Sequence, residues 1–231
     1  MKVKHFFISD PHFGHGNILR YSKRVQFLTD EEKRLTLRGK QFNVCQDSVD
    51  KHDSAVIKNI NDMIGEDDHL WCIGDWCKWG GRQYYDRARY YRQRINCKNV
   101  YLVRGNHDTR KIAPLFTDIY DQVQIAIGHE GEFWIDQDVI GEDKRARHQQ
   151  QIVLNHYMMA VWPKNGKGSW HLYGHSHTAA EPWADKHLPG RKSIDIGVDN
   201  AFKFFGEYRP FSFEELQEIF ADKPGCAIDY H

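Results

Sequence analysis

Five apolar runs in this chain have the length of a buried strand, and each leads directly into side chains that bind metal ions. The runs are VKHFFIS, HLWCI, NVYLVR, IVLN and WHLY. They lead, in that order, into Asp10-Pro11-His12, Gly74-Asp75, Gly105-Asn106-His107-Asp108, His156 and Gly174-His175-Ser176-His177. Strand C-termini in an open α/β sheet meet at one edge, where ligands bind. We therefore expect a single site rich in Asp, Asn and His, donors that suit divalent transition metals.

The order of the predicted elements indicates an α/β fold. Strands at 3–9, 69–73 and 99–103 alternate with predicted helices at 48–64 and 82–94, as in a βαβ arrangement. The pattern becomes richer in strands after residue 117. There we expect a hairpin of IYDQVQIAIG and EFWID, then strands at 151–155, 169–173 and 192–197. Two mixed sheets packed face to face, with helices outside, fit this order.

The remaining segments are less regular. Residues 10–46 are polar and turn-rich, with short helical potential at 16–22, and residues 136–150 are predicted to be a charged loop or strand edge. Ser212 and Glu215 form a capping box that opens a last helix at 213–221, before an irregular tail. No domain-sized repeat or low-complexity linker divides the chain, so we expect residues 1–231 to form one domain.

Charge and cysteine content argue against several classes of protein. The 32 Lys and Arg balance 32 Asp and Glu, whereas a domain that tracks long nucleic acid usually has a basic excess. Nucleic acid is therefore a disfavoured partner. The five cysteines form no CxxC pair, which argues against a zinc ribbon. The N-terminus lacks an apolar signal segment and no run approaches about 18 apolar residues, so we expect a cytoplasmic protein without a membrane span. Composition does not indicate the oligomeric state.

The candidate ligands fit together chemically. Asp10 and His12 are two residues apart, and in an extended segment both side chains would point the same way. His175 and His177 repeat this spacing. Asp75 follows a glycine that permits a tight turn, and a carboxylate has two oxygens that can bridge two cations. Together with the oxygen of Asn106 and the imidazole of His156, these donors exceed what one metal ion needs.

The motifs DxH, GD, GNH(D/E), H and GHxH, in this order, resemble those of the calcineurin-like metallophosphoesterases. The resemblance extends from Asp10 to His177 and so covers most of the chain. It is closer to a small bacterial and phage-encoded branch, which shares the DxHFGHxNI opening at 10–18 and the DIGVD stretch at 195–199. The chain departs from that branch at Met158, where a proline is frequent. We expect this change to alter the loop and not the ligand.

The resemblance implies a four-layer α-β-β-α sandwich and a binuclear metal centre. It assigns one metal ion to Asp10, His12 and His177. It assigns the other ion to Asn106, His156 and His175, with Asp75 as the bridge. It also implies that His107 faces the substrate phosphate and that Asp108 orients His107.

Two cations about 3.5–4 Å apart can clamp a phosphoryl group and activate a water for attack. His107 could then donate a proton to the leaving oxygen. We expect manganese as the metal, with iron, zinc or nickel as alternatives, and a small phosphodiester such as a 2′,3′-cyclic nucleotide as the substrate. The alternatives are a metal-dependent nuclease acting on DNA or RNA and a non-catalytic scaffold of the same fold.

Several residues near the motifs have two interpretations. One interpretation is that His15, Asn17 and Arg24 line the pocket for the phosphate or the leaving group. The other is that His15 and Asn17 only shape the loop and cap a short helix. Asp108 either orients His107 or caps the segment that starts near Thr109. Asp195 and Asp199 are either carboxylates near the metals or part of a turn after the last strand, and we favour the turn. Trp162, with Lys164 and Lys167, either stacks on a base or closes the pocket.

Residues outside the motifs are expected to be structural or exposed. The Arg- and Tyr-rich helix at 82–94 suits solvent better than nucleic acid. Cys72 and Cys97 are predicted to be buried apolar residues. His5 is expected in the core, and the other histidines are predicted to be structural or exposed: His52, His69, His129, His148, His171, His187 and His231.

Overall fold

The computed structural model describes residues 2–128, 130–135 and 149–226. The strands in these ranges are β1 (His5–Ile8), β2 (His69–Cys72), β3 (Asn99–Val103), β4 (Asp118–Tyr120), β5 (Gln122–Ile127), β6 (Phe133–Ile135), β7 (Gln150–Asn155), β8 (Trp170–Tyr173), β9 (Ser193–Asp195) and β10 (Phe211–Ser212). The α-helices are α1 (Gly16–Tyr21), α2 (Asp30–Leu37), α3 (Gln46–Met63), α4 (Tyr84–Arg92), α5 (Glu181–His187), α6 (Val198–Phe205) and α7 (Phe213–Ala221). Short 3-10 helices occupy Val25–Phe27, Arg110–Leu115 and Asn165–Lys167. None of the helices within these ranges is long and apolar enough to cross a membrane.

The strands form two mixed five-stranded sheets. The first has the order β10-β1-β2-β3-β4, in which β1 to β4 are parallel and β10 is antiparallel. The second has the order β6-β5-β7-β8-β9, in which β7, β8 and β9 are parallel and β5 is antiparallel to its neighbours. The α/β class and the two mixed sheets predicted from the sequence are confirmed.

Alternating side chains of the first sheet supply two hydrophobic cores. On one face Ile8, Leu70 and Leu102 belong to a cluster with side chains of α3 and α4. On the other face Phe7 and Trp71 pack in a cluster with apolar residues of β5, β7 and β8. Because burial of one large apolar side chain stabilises a fold by about 1.5–3 kcal/mol, these two faces hold the helices and both sheets together.

A polar network attaches α5 to the outer face of the second sheet. The Tyr173 hydroxyl donates a hydrogen bond to Glu181 at the start of α5. Buried Arg191 donates to the Glu181 carboxylate at 3.0 Å and to Ser193 Oγ at 3.0 Å. Helices therefore cover the outer faces of both sheets, which gives the expected four layers.

The sequence reading missed some elements in the polar and C-terminal segments. The predicted turn-rich stretch contains α2, which begins at a capping box: Thr29 Oγ1 accepts a hydrogen bond from Glu32 N–H at 3.3 Å, and the Glu32 carboxylate accepts one from Thr29 N–H at 2.8 Å. The same signature correctly predicted α7. No prediction covered α5, α6 or β10. The run IYDQVQIAIG divides at Asp121, because β4 belongs to the first sheet and β5 to the second.

The hairpin of β5 and β6 is confirmed, as are buried Cys72 and Cys97. The predicted charged loop at 136–150 lies mostly outside the described residues, as do the last five residues of the tail and His129, His148 and His231.

Candidate metal centre

The loops that follow five parallel strands meet at one edge of the molecule. Backbone hydrogen bonds tie them together: Asp10 N–H donates to Gly74 O at 3.1 Å, and His12 N–H donates to Asp75 O at 3.0 Å. A bridge between Ser9 and Gly197 joins the ends of β1 and β9. Two groups of candidate ligands form at this edge, each with ligand atoms within 4.8 Å of one another: Asp10, His12 and His177, and Asp75, His156 and His175.

The first group contains buried polar atoms that lack partners. Asp10 Oδ1 and both ring nitrogens of His12 make no hydrogen bond to any residue that the structure describes. His12 Nε2 and His177 Nε2 lie 3.7 and 3.8 Å from Asp10 Oδ1, too far for hydrogen bonds. A buried polar atom without a partner costs about 1–3 kcal/mol. A divalent cation here would satisfy Asp10 Oδ1 and Nε2 of His12, so the residues fit a metal ion.

The second group also converges on one point. Asn106 Oδ1 lies 3.2 Å from His156 Nε2 and 2.9 Å from His175 Nδ1. The other nitrogen of His156, Nδ1, lies 2.8 Å from the carbonyl oxygen of Ile73. A carbonyl at that position accepts a hydrogen bond from Nδ1–H and leaves Nε2 available as a metal ligand.

Asp75 adjoins both groups. Its Oδ2 lies 3.5 Å from His12 Nε2 and 3.5 Å from His156 Nε2. Its Oδ1 accepts a hydrogen bond from the backbone N–H of His107 at 2.9 Å. One carboxylate therefore faces the first group, the second group and the loop that carries His107.

The ligand residues adopt a backbone conformation that the sequence reading did not foresee. Their φ angles are positive: 56° at Asp10, 50° at His12, 56° at Asp75, 67° at His175 and 46° at His177. Non-glycine residues rarely adopt this region, which costs of order 1–3 kcal/mol each and is concentrated at functional sites. The prediction that Asp10 and His12 lie in an extended segment is therefore wrong, as it is for His175 and His177. Left-handed turns, not strand alternation, bring them together.

Two glycines before these turns are required by close contacts. A Cβ on Gly74, whose φ is 96°, would overlap the backbone of Gly105 and Nδ1 of His156. A Cβ on Gly174 would overlap Ser9 Oγ and Asp10 Oδ2. The glycines of the GD and GHxH motifs thus let one loop pack directly on a ligand of another.

Each group contains one histidine whose pKa is lowered and one whose pKa is raised. Burial opposes ionisation of Asp10, but His12 and His177 outweigh it and hold the pKa of Asp10 well below its usual range. Burial lowers the pKa values of His12 and His175, which favours the neutral imidazole that ligation needs. Burial also opposes the charge on His156, yet the nearby Asp75 and Asp10 raise its pKa to about 9. Metal binding at the second group would therefore release a proton from His156.

The prediction that Arg24 binds substrate is wrong. Its guanidinium is fully buried, and its five N–H donors all have partners inside the protein. The acceptors are Asp199 Oδ1 at 2.9 Å, Asp199 Oδ2 at 2.8 Å, Asp10 O at 2.9 Å, Pro11 O at 3.3 Å and His52 Nε2 at 2.8 Å. Arg24 therefore supports the strained Asp10-Pro11 loop and has no donor left for a phosphate.

The favoured interpretation of Asp195 and Asp199 as a turn after the last strand is also wrong. Asp199 lies in the first turn of α6, with Oδ2 2.6 Å from Nδ1 of His177, and Ser22 Oγ lies 3.0 Å from the same nitrogen. Asp195 ends β9 and accepts hydrogen bonds from Ser176 Oγ and Thr178 N–H. Asp199 thus orients a candidate ligand, and Asp195 secures the loop that carries it.

Asp108 plays neither of the two roles considered from the sequence. Its carboxylate accepts hydrogen bonds from the backbone N–H groups of Asp75 at 2.7 Å, Trp76 at 3.2 Å and Gly105 at 3.0 Å. The ring Nδ1 of His107 has no hydrogen-bond partner, and Thr109 caps the following helix. Asp108 therefore fastens the loops after β2 and β3 to each other. Its burial raises the pKa of this carboxyl to about 7.

The other candidate residues separate into near and distant ones. The His15 ring lies 5.5 Å from the ring of His12 and 6.2 Å from that of His107. Burial lowers the pKa of His15 to about 4, and its side chain makes no capping bond to α1. Asn17 instead lines a polar cleft with Arg20 and Asn43. The structure therefore brings His15 to the site and places Asn17 in a separate cleft.

Most of the residues that were predicted to be structural or exposed lie away from the candidate ligands or are buried in the fold. Trp162 is buried and donates a hydrogen bond to Ser169 O at 3.2 Å, so it is not available to stack on a base. His5, His52 and His171 are buried, whereas His187 is exposed. Helix α4 buries Tyr84, Ala88 and Tyr91 and exposes Tyr85, Asp86, Arg89 and Tyr90, as a solvated helix does.

A two-sheet α/β fold whose strand ends carry two adjacent carboxylate–histidine groups defines a metal-dependent enzyme. Residues 4–179 match the family model described as calcineurin-like phosphoesterase. The match covers more than half of the chain, which therefore belongs to the calcineurin-like phosphoesterase family and is a metal-dependent phosphoesterase. The assignment to a bacterial and phage branch stays a prediction.

A solved structure of similar fold is that of the protein of unknown function AQ665 from Aquifex aeolicus. The two proteins are 18% identical, and the alignment covers 94% of this chain and 99% of that chain with a TM-score of 0.57. This similarity supports the fold alone. Comparison with curated proteins gives no match.

Replacing Arg24 with methionine is expected to destabilise the fold by about 3–5 kcal/mol, because Asp199 would remain buried without its partner. Arg110→Ala is the matched control, since Arg110 forms an exposed ion pair with Asp121 and should contribute about 0–1 kcal/mol. Urea unfolding measures both free energies. Equal losses in the two variants would show that the Arg24–Asp199 pair does not support the loop.

Proposed function

We propose that the chain hydrolyses small phosphodiesters, such as 2′,3′-cyclic nucleotides, with two divalent metal ions. The observation that carries this proposal is the position of Asp75, whose Oδ2 lies 3.5 Å from a histidine of each group. A shared carboxylate of this kind suits a pair of adjacent cations and is not needed for a single one. Family membership supports phosphoester hydrolysis.

The proposed ligands are Asp10, His12 and His177 for one ion and Asn106, His156 and His175 for the other, with Asp75 between them. The set contains carboxylate, amide and imidazole donors and no thiolate, which fits manganese, our first choice, as well as iron, zinc or nickel. Two such ions supply Lewis-acid stabilisation of phosphoryl charge and a water of lowered pKa. The residues of the chain position these donors and keep His12 neutral.

His107 is the proposed proton donor. Its side chain is 27% exposed, and Nε2 lies 3.9 Å from Asp75 Oδ2, so the ring adjoins the centre and is open to substrate. Among the described residues, Nδ1 of this ring has no hydrogen-bond partner. A histidine in this place can donate a proton or stabilise charge on the phosphoryl group.

We also propose that residues 1–231 form one domain, because side chains from both sheets share one hydrophobic cluster. The cytoplasmic location stays a prediction.

A substrate panel at fixed pH with manganese tests the proposed activity. It contains a nitrophenyl phosphodiester, 2′,3′-cyclic nucleotides, and single- and double-stranded DNA. We expect the highest kcat/KM on a cyclic nucleotide and only weak dependence on salt. Preferential cleavage of DNA with a steep salt dependence would instead identify a nuclease. A fully metal-loaded protein that hydrolyses none of them would contradict the proposal.

A further inference from the structure

Two exposed aromatic side chains stand beside the metal centre, and the functions derived above do not use them. Tyr157 is 48% exposed and Trp79 is 56% exposed. The Tyr157 ring lies 4.7 Å from that of His175 and 5.2 Å from that of His156. The Trp79 ring lies 6.0 Å from that of His107. Tyr157 is therefore an accessible ring beside the second group of candidate ligands, and Trp79 is an accessible ring beside His107.

A cleft begins at the second group and runs along Tyr157. Its volume is about 270 Å³, and it is lined by Arg104, Gly105, Asn106, Asp121, Asn155 and Tyr157. Asn106 is a proposed metal ligand, so the cleft opens directly from the position of the phosphate. Small-molecule sites usually measure about 300–1,000 Å³, and a cleft slightly below that range suits one ring-sized substituent of an ester.

Hydrogen bonds of the Asn155 side chain hold the loop that carries Tyr157. Asn155 Oδ1 accepts a hydrogen bond from Tyr157 N–H at 2.8 Å, and Asn155 Nδ2 donates to Gln122 Oε1 at 3.1 Å. The cleft is otherwise polar, and Arg104 is paired with Asp121. A heteroaromatic ring can stack on the flat apolar face of Tyr157 while its own edge contacts the polar groups of the cleft.

We propose that Tyr157 is a stacking platform for the nucleobase of the substrate, which occupies the cleft beside Asn106. This inference rests on one part of the proposed function, which is that the scissile phosphate lies between the two groups of candidate metal ligands. It narrows the substrate class to esters that carry a heteroaromatic base. It also assigns specificity to a residue that follows the candidate ligand His156 directly in sequence.

The test compares adenosine 2′,3′-cyclic phosphate with the same ribose cyclic phosphate that has hydrogen in place of the base. The manganese-loaded variants are Tyr157→Ala, Tyr157→Phe, Trp79→Ala and, as control, Tyr90→Ala, which removes a ring that is 57% exposed on α4. Base stacking predicts that Tyr157→Ala lowers kcat/KM on the adenosine ester about 5- to 150-fold, mainly through KM. We expect Tyr157→Phe and Tyr90→Ala to keep the activity, and the base-free ester to be hydrolysed equally by all variants.

A second measurement does not require turnover. The Kd of metal-loaded protein for adenosine 3′-phosphate, measured by titration calorimetry, should rise in Tyr157→Ala by the same factor as KM, with unchanged metal content.

Equal losses of Tyr157→Ala on the two esters would overturn the proposal, because Tyr157 would then act only by supporting His175. An unchanged Tyr157→Ala together with a base-dependent loss in Trp79→Ala would also overturn it and place the base at Trp79. If the wild type hydrolyses neither ester, cyclic nucleotides are not its substrates, and the nucleotide Kd still decides. A higher Kd in Tyr157→Ala supports stacking, and an equal Kd rejects it.

Discussion

Replacing Asp75 with asparagine is expected to abolish phosphoesterase activity and to lower the metal content at both sites. Asp75 Oδ2 lies 3.5 Å from His12 and from His156, so its charge serves both proposed ions. Asparagine has nearly the same shape and can still accept the hydrogen bond from His107 N–H. The substitution therefore removes the charge and little else. Elemental analysis after manganese loading should give two ions per chain in the wild type and fewer than one in the variant.

Asp62→Asn is the control for this experiment. Asp62 is an exposed carboxylate on α3 that pairs with Lys58, and its loss should leave both the metal content and the rate unchanged. Loss of one ion only in Asp75→Asn would show that Asp75 serves a single group. Full metal content and full activity in that variant would remove Asp75 from the centre. A wild type that holds one ion or none would contradict the binuclear proposal itself.

Local patterns in the sequence were sufficient to predict the framework of the site. β1, β2, β3 and β8 are short apolar runs followed by polar or glycine-containing turns, and parallel pairing places such turns at one edge. Helices with less regular patterns were harder to predict. α2 carries a Thr29–Glu32 capping box that could have revealed it, whereas α5 lies in a segment without clear periodicity.

The support of the ligands could not be predicted from spacing. Arg24 and Asp199 are 175 residues apart, and only the folded chain shows that they bind each other. Their contacts are set by how the segment after α1 packs against α6, which local sequence does not encode. The left-handed turns at Asp10 and His12 were equally hidden, because non-glycine residues enter this conformation only where surrounding contacts impose it. Sequence therefore predicts donor types more readily than donor geometry.

The second large effect is expected at His107. Changing it to alanine should leave both ions bound but slow turnover about 100- to 10,000-fold if it is a general acid. The loss should be greater on a nucleotide diester than on a nitrophenyl diester, because nitrophenolate leaves without needing a proton. His187→Ala is the control, since His187 is an exposed histidine on α5. The rates on both esters and the metal content are measured for each variant.

The ratio of the two losses decides what His107 does. A larger loss on the nucleotide diester supports proton donation to the leaving oxygen. Equal losses would remove that role and leave charge stabilisation or substrate positioning, to which the neighbouring His15 ring, 6.2 Å away, could also contribute. Loss of a metal ion would instead make His107 a ligand. That result would contradict the proposed division of the site, in which His107 lies 3.9 Å from Asp75 Oδ2 and outside both groups of donors.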